Sequence, residues 1–401
     1  LQQTVDNRKR IYCNFPRTEL ALIRILSILD SDKHRDEIDS HIRLMLTQGT
    51  AVDGVTGEKG VNGYAAWTSS GIFDFMAHLA IAEPARFREL LARHPGLHAG
   101  LRFFLDTWCL RKFYPSCGDA GAFTQPQEQV AALNFESYQP EPAGAAALPG
   151  VGLKFLPRPS PHALLWALYQ ATGDVDMLRL SRLANDSPDG QLRFGLLADP
   201  SPAAQAEYQR ALAEHGTELR QASVDKAEWH LSILRSGRGP HERALWLDYD
   251  TGRSHHHFDG MNIGLFAFGL DLLSDFGYPP TGYGGHETLE AMWYVHTAAH
   301  NTVVVDGKCQ PGPHWTSEVL AAGRNEIWLE RPWTRGLRNN APKMYEQTSQ
   351  YERTLWLTDI AEHAFYVLDI FRVVGGTDHA KLTHSGQAAL ETRGLTCAPA
   401  E

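Results

Sequence analysis

Apolar residues in the first half of the chain recur at the spacing of an amphipathic helix. In the segment PRTELALIRILSILD they recur at three-residue steps, at Leu20, Ile23, Leu26 and Leu29. Such steps place side chains on one helix face, and the leading proline suits a first helical position. Further helices are predicted at residues 34–49, 64–84, 97–114 and 160–174. The long loops between them suit helical hairpins around a common axis better than a compact bundle.

Beyond about residue 219 the apolar residues occur in short runs. These runs are rich in Val, Ile, Trp, Tyr and Leu, and they lie at residues 228–237, 242–250, 301–307, 325–333, 351–359 and 363–376. Runs of this kind, separated by turn residues, predict antiparallel strands and a β-sandwich. We therefore predict an α+β chain with a helical domain over residues 1–218 and a sandwich domain over residues 219–401.

Composition and charge narrow the class of protein. The chain has 401 residues, 43% of them hydrophobic, and a formal net charge of -10. A nucleic-acid binder needs a positive surface to neutralise phosphates, so the charge argues against that class. No apolar run is long enough to span a membrane, and the five cysteines are scattered, which disfavours a disulfide framework. The first residues do not read as a signal peptide, and the start at Leu1 suggests a removed leader or a fragment.

Residues 253–310 concentrate side chains that bind metals or transfer protons. They include six histidines and the carboxylates Asp259 and Asp275. In a strand, His255, His257 and Asp259 would project from one face, because they alternate at period two. Two imidazoles and one carboxylate form a common three-ligand zinc set. For any single histidine here, a hydrogen-bonded core or surface residue is the more frequent outcome, but charged groups amid so much apolar sequence need partners.

The motifs HHHFD, SDFGYP and AHNTVVVDG follow one another between residues 255 and 307. Together they resemble the heparinase II/III-like family of polysaccharide lyases, which includes oligoalginate lyases and lyases of heparin, heparan and chondroitin-type chains. The loops DGVTGEKGVNGY and CGDAG, and the segment YVLDIFRVVGGTDH with His384, are similar to that family too. The resemblance implies an incomplete (α/α) toroid followed by an antiparallel β-sandwich. We expect this chain to lack the start of the toroid and the sandwich to end early at Glu401.

The same resemblance implies β-elimination at a uronic acid. Such an enzyme neutralises the C6 carboxylate, removes the weakly acidic C5 proton and protonates the leaving oxygen at C4. Neutralisation lets negative charge build toward an enediolate, which preorganised donors stabilise. The expected enzyme is a carbon–oxygen lyase, and the expected partner is an anionic uronate polysaccharide or oligosaccharide of alginate or glycosaminoglycan type.

The resemblance also implies roles for individual residues. Tyr64 is expected to be the acid, or both base and acid when the proton and the leaving oxygen lie on one face. Because a phenol has a reference pKa of about 10, neighbouring cations or donors have to lower it. His255 is expected to serve as a second base or a substrate contact. The expected ligands of a structural Zn²⁺ that braces the site are His257, Asp275 and His300.

The group that neutralises the substrate carboxylate is expected near the start of the chain. In relatives an Asn or His of the toroid does this, and here the matching window contains asparagines and arginines but no histidine. We expect Asn14 in this role, with Arg17 one helical turn on as an anion-pairing partner. A helix cap is the competing interpretation of Asn14. Without a toroid histidine, proton abstraction falls to Tyr64 or His255.

Further residues are expected around the cleft. Glu58 could orient Tyr64 or a sugar hydroxyl, and Asp119 could fix the loop after the preceding helix, although a solvated glutamate and a turn-forming aspartate are the simpler interpretations. Trp67 and Tyr283 could stack on sugar faces, although core packing is the default for large aromatic residues.

Two other functions stay open from the sequence. A C5 uronosyl epimerase would use the same proton abstraction without bond cleavage, and a noncatalytic glycan-binding remnant would need neither step. The family implies a periplasmic or secreted location, and a homo-oligomer is compatible with the sequence. No nucleic-acid or membrane partner is expected.

Overall fold

The computed structural model describes residues 14–133, 161–184, 201–282 and 284–386. In these ranges, all helices but one short one precede the strands. The helices are α1 (Arg17–Asp30), α2 (Arg35–Gly49), α3 (Tyr64–Ala82), α4 (Pro84–Arg93), α5 (Gly96–Thr107), α6 (Pro161–Thr172), α7 (Val175–Leu183), α8 (Pro202–His215) and α9 (Leu289–Val295).

The strands follow, and neighbouring strands within each sheet run antiparallel. They are β1 (Val224–Lys226), β2 (Leu231–Ser236), β3 (Arg243–Asp248), β4 (Asp250–Gly252), β5 (Asn262–Ala267), β6 (Leu270–Leu273), β7 (Val303–Val305), β8 (Val319–Ala322), β9 (Arg324–Arg331), β10 (Thr334–Asn340), β11 (Thr348–Ala361), β12 (Ala364–Gly375) and β13 (His379–Lys381). Each of the six predicted strand runs is confirmed, as β2, β3, β7, β9, β11 and β12.

The predicted helices are confirmed, with one end corrected. The apolar stripe of α1 buries Leu20, Ile23 and Leu26 in the core of the helical half. The segment predicted as one helix over residues 97–114 ends early, since α5 stops at Thr107. The chain then turns tightly through Leu110 and Arg111, which both have positive φ angles of 54° and 52°. A right-handed helix cannot continue through such residues.

The strands form two main sheets that pack face to face. One has the order β1-β2-β3-β5-β6, the other β12-β11-β10-β9, and the pairs β13-β7 and β4-β8 are separate. Leu245 and Leu247 of β3 face the second sheet and share its core with Leu355 and Leu357 of β11. Two sheets joined by such a core form a sandwich.

The first sheet is buried on its other face as well. Trp246 of β3 and Phe266 of β5 belong to the core of the helical half, together with Phe103 of α5. Side chains alternate between the two faces of a strand, so every residue of β3 and β5 is buried. The result is three layers, in which helices cover one face of the first sheet and the second sheet covers the other.

The junction of helices and strands lies close to the predicted boundary. Helix α8 ends at His215 and β1 begins at Val224. Because helices and strands share a core, the division into domains at 218/219 stays a prediction. The closure of the helices into part of a toroid also stays a prediction. In the described part of the chain, none of the helices is long and apolar enough to cross a membrane.

Candidate active site

Three loops meet where the helices face the first sheet. They cover residues 50–63, 117–121 and 253–261. The backbone N–H of Gly60 donates to the carbonyl of Cys117 at 2.7 Å, and that of Asp119 donates to the carbonyl of His255 at 2.9 Å. Gly60 has a φ of 86°, and a Cβ there would clash with the backbone of Asp119. Only glycine permits this close approach of the first two loops. We call this junction the three-loop site.

The loop that carries the histidines is irregular. Residues 253–261 lie between β4 and β5, and His255 has a φ of 62° in the left-handed region. The alternation that would place His255, His257 and Asp259 on one face of a strand therefore does not occur, because the strand is absent here. The backbone turns instead, and it directs His255 and His257 to the two oxygens of one carboxylate.

Tyr64 and His255 lie against each other. Tyr64 is the first residue of α3, and its ring stacks on the imidazole of His255 with centroids 3.4 Å apart and an angle of 8°. The Tyr64 hydroxyl also lies 3.3 Å from the hydroxyl of Tyr278, within hydrogen-bond distance. The helical half and the strand half thus each contribute a proton-transfer group to one place.

Asp119, in the loop 117–121, contacts both His255 and His257. Its Oδ2 lies 3.2 Å from Nδ1 of His255, and its Oδ1 lies 3.2 Å from Nε2 of His257. Burial alone would raise the pKa of Asp119, but the hydrogen bonds from the two histidines hold it well below its usual range. An ionised Asp119 only accepts hydrogen bonds, so Nδ1 of His255 and Nε2 of His257 carry protons. In neutral imidazoles this leaves Nε2 of His255 and Nδ1 of His257 as lone pairs.

Glu58 faces the open nitrogen of His255. Its Oε2 lies 3.8 Å from Nε2 of His255, and its Oε1 accepts a hydrogen bond of 2.7 Å from the backbone N–H of Asn14. Burial raises the pKa of Glu58, against the lowering effects of His255 and of backbone donors. A carboxyl group with a raised pKa next to an imidazole lone pair is suited to exchanging a proton with it.

A buried ion cluster anchors the first loop to the sheet. Lys59 is 1% exposed; its Nζ lies 3.2 Å from Oδ1 of Asp248 and also pairs with Asp250. The same ammonium group lies 4.0 Å from the ring centroid of Trp229. Burial raises the pKa of Asp248, whereas Lys59 and His230 overcome the effect of burial on Asp250 and hold its pKa at about 2. The surroundings thus favour the neutral form of Asp248 and the ionised form of Asp250.

A second group of side chains in the site could hold a metal ion. One donor atom each of His257, Asp259 and His300 lies within 4.8 Å of the others, and all three residues are buried. Nδ1 of His257 and Nε2 of His300 are buried without a hydrogen-bond partner in the described chain. Unpartnered buried imidazole nitrogens are costly, and a cation between them would satisfy both. The donor set of two imidazoles and one carboxylate fits Zn²⁺.

Asp275 lies behind this group rather than within it. Its Oδ2 lies 2.7 Å from Nδ1 of His300 and accepts a hydrogen bond of 2.9 Å from Asn262, while its Oδ1 accepts one of 3.0 Å from the N–H of Gly277. The sequence had suggested Asp275 as a ligand. In this geometry it orients His300, as carboxylates commonly do for metal-binding histidines.

The residues predicted to contact substrate lie around Tyr64, as far as the structure describes them. Trp67 is 45% exposed and meets Tyr64 edge to face, with centroids 6.2 Å apart. The Arg17 guanidinium lies 4.3 Å from the Trp67 ring centroid. Asn14 has a φ of 61° and precedes α1, close to Glu58. Tyr283 lies outside the described residues.

Two residues beside the site were missed in the sequence. Tyr278 lies in the SDFGYP motif but was assigned no role, and Lys59 was not singled out within its polar loop. Asp259 was considered with His255 and His257 by its spacing, whereas the family resemblance implied Asp275 as the carboxylate ligand. A lysine within a glycine-rich loop is usually solvated, so only its burial identifies Lys59. The tyrosine could have been noted as a second phenol beside the histidine motif.

Comparisons with known proteins identify related sequences. The family described as "Heparinase II/III-like, C-terminal" matches residues 245–388. An exo-oligoalginate lyase from Saccharophagus degradans is 31% identical over 170 residues, which cover 40% of this chain and 22% of that protein.

Solved structures share the fold at low sequence identity. Heparan sulfate lyase HepC from Pedobacter heparinus has a TM-score of 0.52 and 14% identity over 86% of this chain and 42% of that chain. A crystal structure of heparinase III has a TM-score of 0.53 and 12% identity over 89% of this chain and 46% of that chain. The chain thus spans less than half the length of these relatives. Residues 245–388 therefore belong to the family described as heparinase II/III-like, C-terminal.

Proposed function

We propose that this protein is a polysaccharide lyase that cleaves a uronate-containing glycan by β-elimination at the three-loop site. The observation that carries the proposal is the stack of Tyr64 on His255, with ring centroids 3.4 Å apart. Two groups that can transfer protons lie side by side at the junction of helices and sheets. The names of the relatives, an oligoalginate lyase and a heparan sulfate lyase, support an anionic glycan as substrate.

The reaction needs a base and an acid at one sugar ring. In this proposal the C5 proton moves to the lone pair on Nε2 of His255 or to Tyr64, electrons from the C5–H bond form the C4–C5 double bond, and the C4–O bond breaks. Tyr64 gives its proton to the departing oxygen. Asp119 keeps Nδ1 of His255 protonated through a 3.2 Å contact, so Nε2 is the free nitrogen.

Neighbouring groups would prepare these two residues. In this proposal Arg17, near Trp67, and Asn14 neutralise the C6 carboxylate, and the exposed Trp67 stacks on a sugar. Glu58, with Oε2 3.8 Å from Nε2 of His255, could take up or return the proton between turnovers. Tyr278 could donate a hydrogen bond to the Tyr64 oxygen, which favours the phenolate form.

The test is incubation of the protein with alginate, heparan sulfate and chondroitin-type chains. Absorbance of the 4,5-unsaturated product is expected to rise with at least one of them, and product sizing separates exolytic from endolytic attack. Deuterium incorporation from solvent without chain shortening would instead identify a C5 epimerase. A folded protein that neither cleaves any uronate polymer nor incorporates deuterium into it would overturn both enzyme assignments. It would leave a glycan-binding remnant as the remaining function.

We further propose that Zn²⁺ is held by His257, Asp259 and His300. When bound, the ion would brace the histidine loop against the segment after α9. This proposal rests on the two unpartnered imidazole nitrogens and on the carboxylate near them.

Two carboxamide variants discriminate between the candidate carboxylates. Asp259→Asn is expected to lower zinc affinity more than about 100-fold, because it removes a charged ligand; Asp275→Asn should lower it only about 10- to 100-fold, as is usual for an orienting residue. Zinc content after dialysis against a graded chelator series measures both, and His384→Ala, outside the group, serves as the control. The reverse ranking would make Asp275 the ligand.

A further inference from the structure

A second cavity lies at the other end of the first sheet. It has a volume of about 330 Å³ and is lined by the turn after α5, the segment leading into β1, the β2–β3 turn and the ends of β9 and β10. Arg243 lines this cavity at the start of β3, and Asp248 meets Lys59 at the end of β3. A strand rises about 3.3 Å per residue, so this cavity is roughly 17 Å from that contact. We call it the arginine pocket.

Positive charge dominates the wall of the arginine pocket. Three glutamates line it, and they face twice as many arginines, namely Arg111, Arg220, Arg235, Arg238, Arg243 and Arg335. The chain as a whole has a net charge of -10, so this local excess runs against the overall balance. A concave wall of one sign concentrates the electrostatic potential and attracts anions.

Half of these arginines already have carboxylate partners. Arg243 and Arg335 both pair with Asp359, at 2.6 Å and 3.2 Å, and Arg220 pairs with Glu218 at 2.7 Å. These three guanidinium groups therefore stabilise the wall of the pocket and need no ligand.

The other three form no close ion pair with a described carboxylate, although Arg238 acts with the nearer Arg220 to lower the pKa of Glu218. Arg235 donates to backbone carbonyls, including that of Ala222 at 2.8 Å, and its Nε is buried without a hydrogen-bond partner. The exposed side chains of Arg111 and Arg238 make neither a hydrogen bond nor an ion pair with the described residues. Guanidinium groups that line a concave space and are not held in a close ion pair match the geometry of carboxylate recognition.

We propose that the arginine pocket is an accessory binding site for a uronate-bearing oligosaccharide, distinct from the three-loop site. Arg111 and Arg238 bind a sugar carboxylate, and Arg235 supplies positive charge at the base of the pocket. The choice of ligand rests on the proposed function. A cavity of this size holds about one or two sugar units.

Arginine footprinting tests the site directly. The chain with Tyr64→Phe, which blocks turnover, is treated with phenylglyoxal in the presence of an alginate tetrasaccharide, and labelled arginines are quantified by mass spectrometry. At ten times the dissociation constant, labelling of Arg111 and Arg238 is expected to slow about tenfold. Arg88, an exposed arginine on α4, is the control and is expected to label at an unchanged rate. A neutral cellotetraose should protect none of them.

Calorimetry with variants gives a second readout. The Tyr64→Phe chain is expected to bind two tetrasaccharides, and the chain that also carries Arg111→Gln and Arg238→Gln is expected to bind one, because each lost charged hydrogen bond weakens binding roughly tenfold or more. Both positions are exposed, so folding is expected to persist, and Arg88→Gln is the matched control.

The outcomes separate this inference from the proposed function. Protection of Arg17 without protection of Arg111 and Arg238 would overturn the accessory site and leave the lyase proposal standing. If no arginine is protected, and the chain without the Tyr64→Phe substitution also shows no turnover, both proposals are overturned. Unchanged stoichiometry in the double-arginine variant would likewise remove the arginine pocket from consideration.

Discussion

Replacing Tyr64 by phenylalanine is expected to lower kcat on a uronate polymer by roughly 10²- to 10⁴-fold, the usual contribution of a general acid or base. The phenyl ring keeps the stack on His255, whose centroid lies 3.4 Å away, and removes only the hydroxyl. Affinity for substrate, measured by calorimetry, should therefore change little. A loss confined to kcat identifies an interaction made in the transition state.

Two tyrosine variants serve as controls for this experiment. Tyr366→Phe lies on β12, where the side chain is 49% exposed, and is expected to leave kcat unchanged. Tyr278→Phe removes the hydroxyl 3.3 Å from that of Tyr64 and is expected to lower kcat roughly fivefold, since one neutral hydrogen bond is worth about 1 kcal/mol. Full activity in the Tyr64→Phe protein would assign the proton transfers to other groups, with His255 and Glu58 the next to test.

The substitution Lys59→Met is expected to destabilise the protein by about 3–5 kcal/mol, the usual result of removing one partner of a buried ion pair. Methionine fills a similar volume beside Trp229 but leaves the Asp250 carboxylate buried without its ammonium partner. The midpoint of denaturant unfolding measures the loss. Lys33→Met changes an exposed lysine on the surface of the helical half and is expected to stay within about 0.5 kcal/mol of the parent.

The two aspartates of the cluster are expected to respond differently. Burial raises the pKa of Asp248, so we expect it to hold the proton of the pair; an asparagine can donate a hydrogen bond in the same way. Asp248→Asn is therefore expected to cost less than about 1 kcal/mol, whereas Asp250→Asn removes the charge that balances Lys59 and should cost several times more. Combining Lys59→Met with Asp250→Asn should restore part of the lost stability. Equal costs for the two asparagine variants would contradict this placement of the proton.

The ion cluster also connects stability with the site. Lys59 lies between Glu58 and Gly60 in the loop that leads to Tyr64, and the backbone N–H of Lys59 donates to the carbonyl of Ser254 at 2.9 Å. The loop that delivers the phenol is thereby fixed to the loop that delivers His255. We expect the Lys59→Met protein to lose catalytic activity at temperatures where it is still mostly folded, because local opening precedes global unfolding.

The sequence by itself determined that a helical half precedes a half made of strands. Hydrophobic periodicity is a local property, and a three-residue step such as Leu20, Ile23, Leu26 is sufficient to identify α1. The histidine motifs in residues 255–307 also identified the family, because residue types at fixed spacing survive where overall identity does not. The end of α5 was missed, since positive φ angles at Leu110 and Arg111 leave no clear signal in residue type.

Only the tertiary structure decided which of these residues meet. Tyr64 and His255 are almost two hundred residues apart, and their contact depends on three loops bonded backbone to backbone. The arrangement of the histidine loop likewise depends on turns, since a left-handed residue at His255 breaks the alternation that sequence spacing assumes. Burial and pairing decide the rest, because the charges of Lys59, Asp119 and Glu58 look solvated in the sequence. Burial raises the pKa of Glu58, whereas buried partners outweigh the effect of burial on the other two, lowering the pKa of Asp119 and raising that of Lys59.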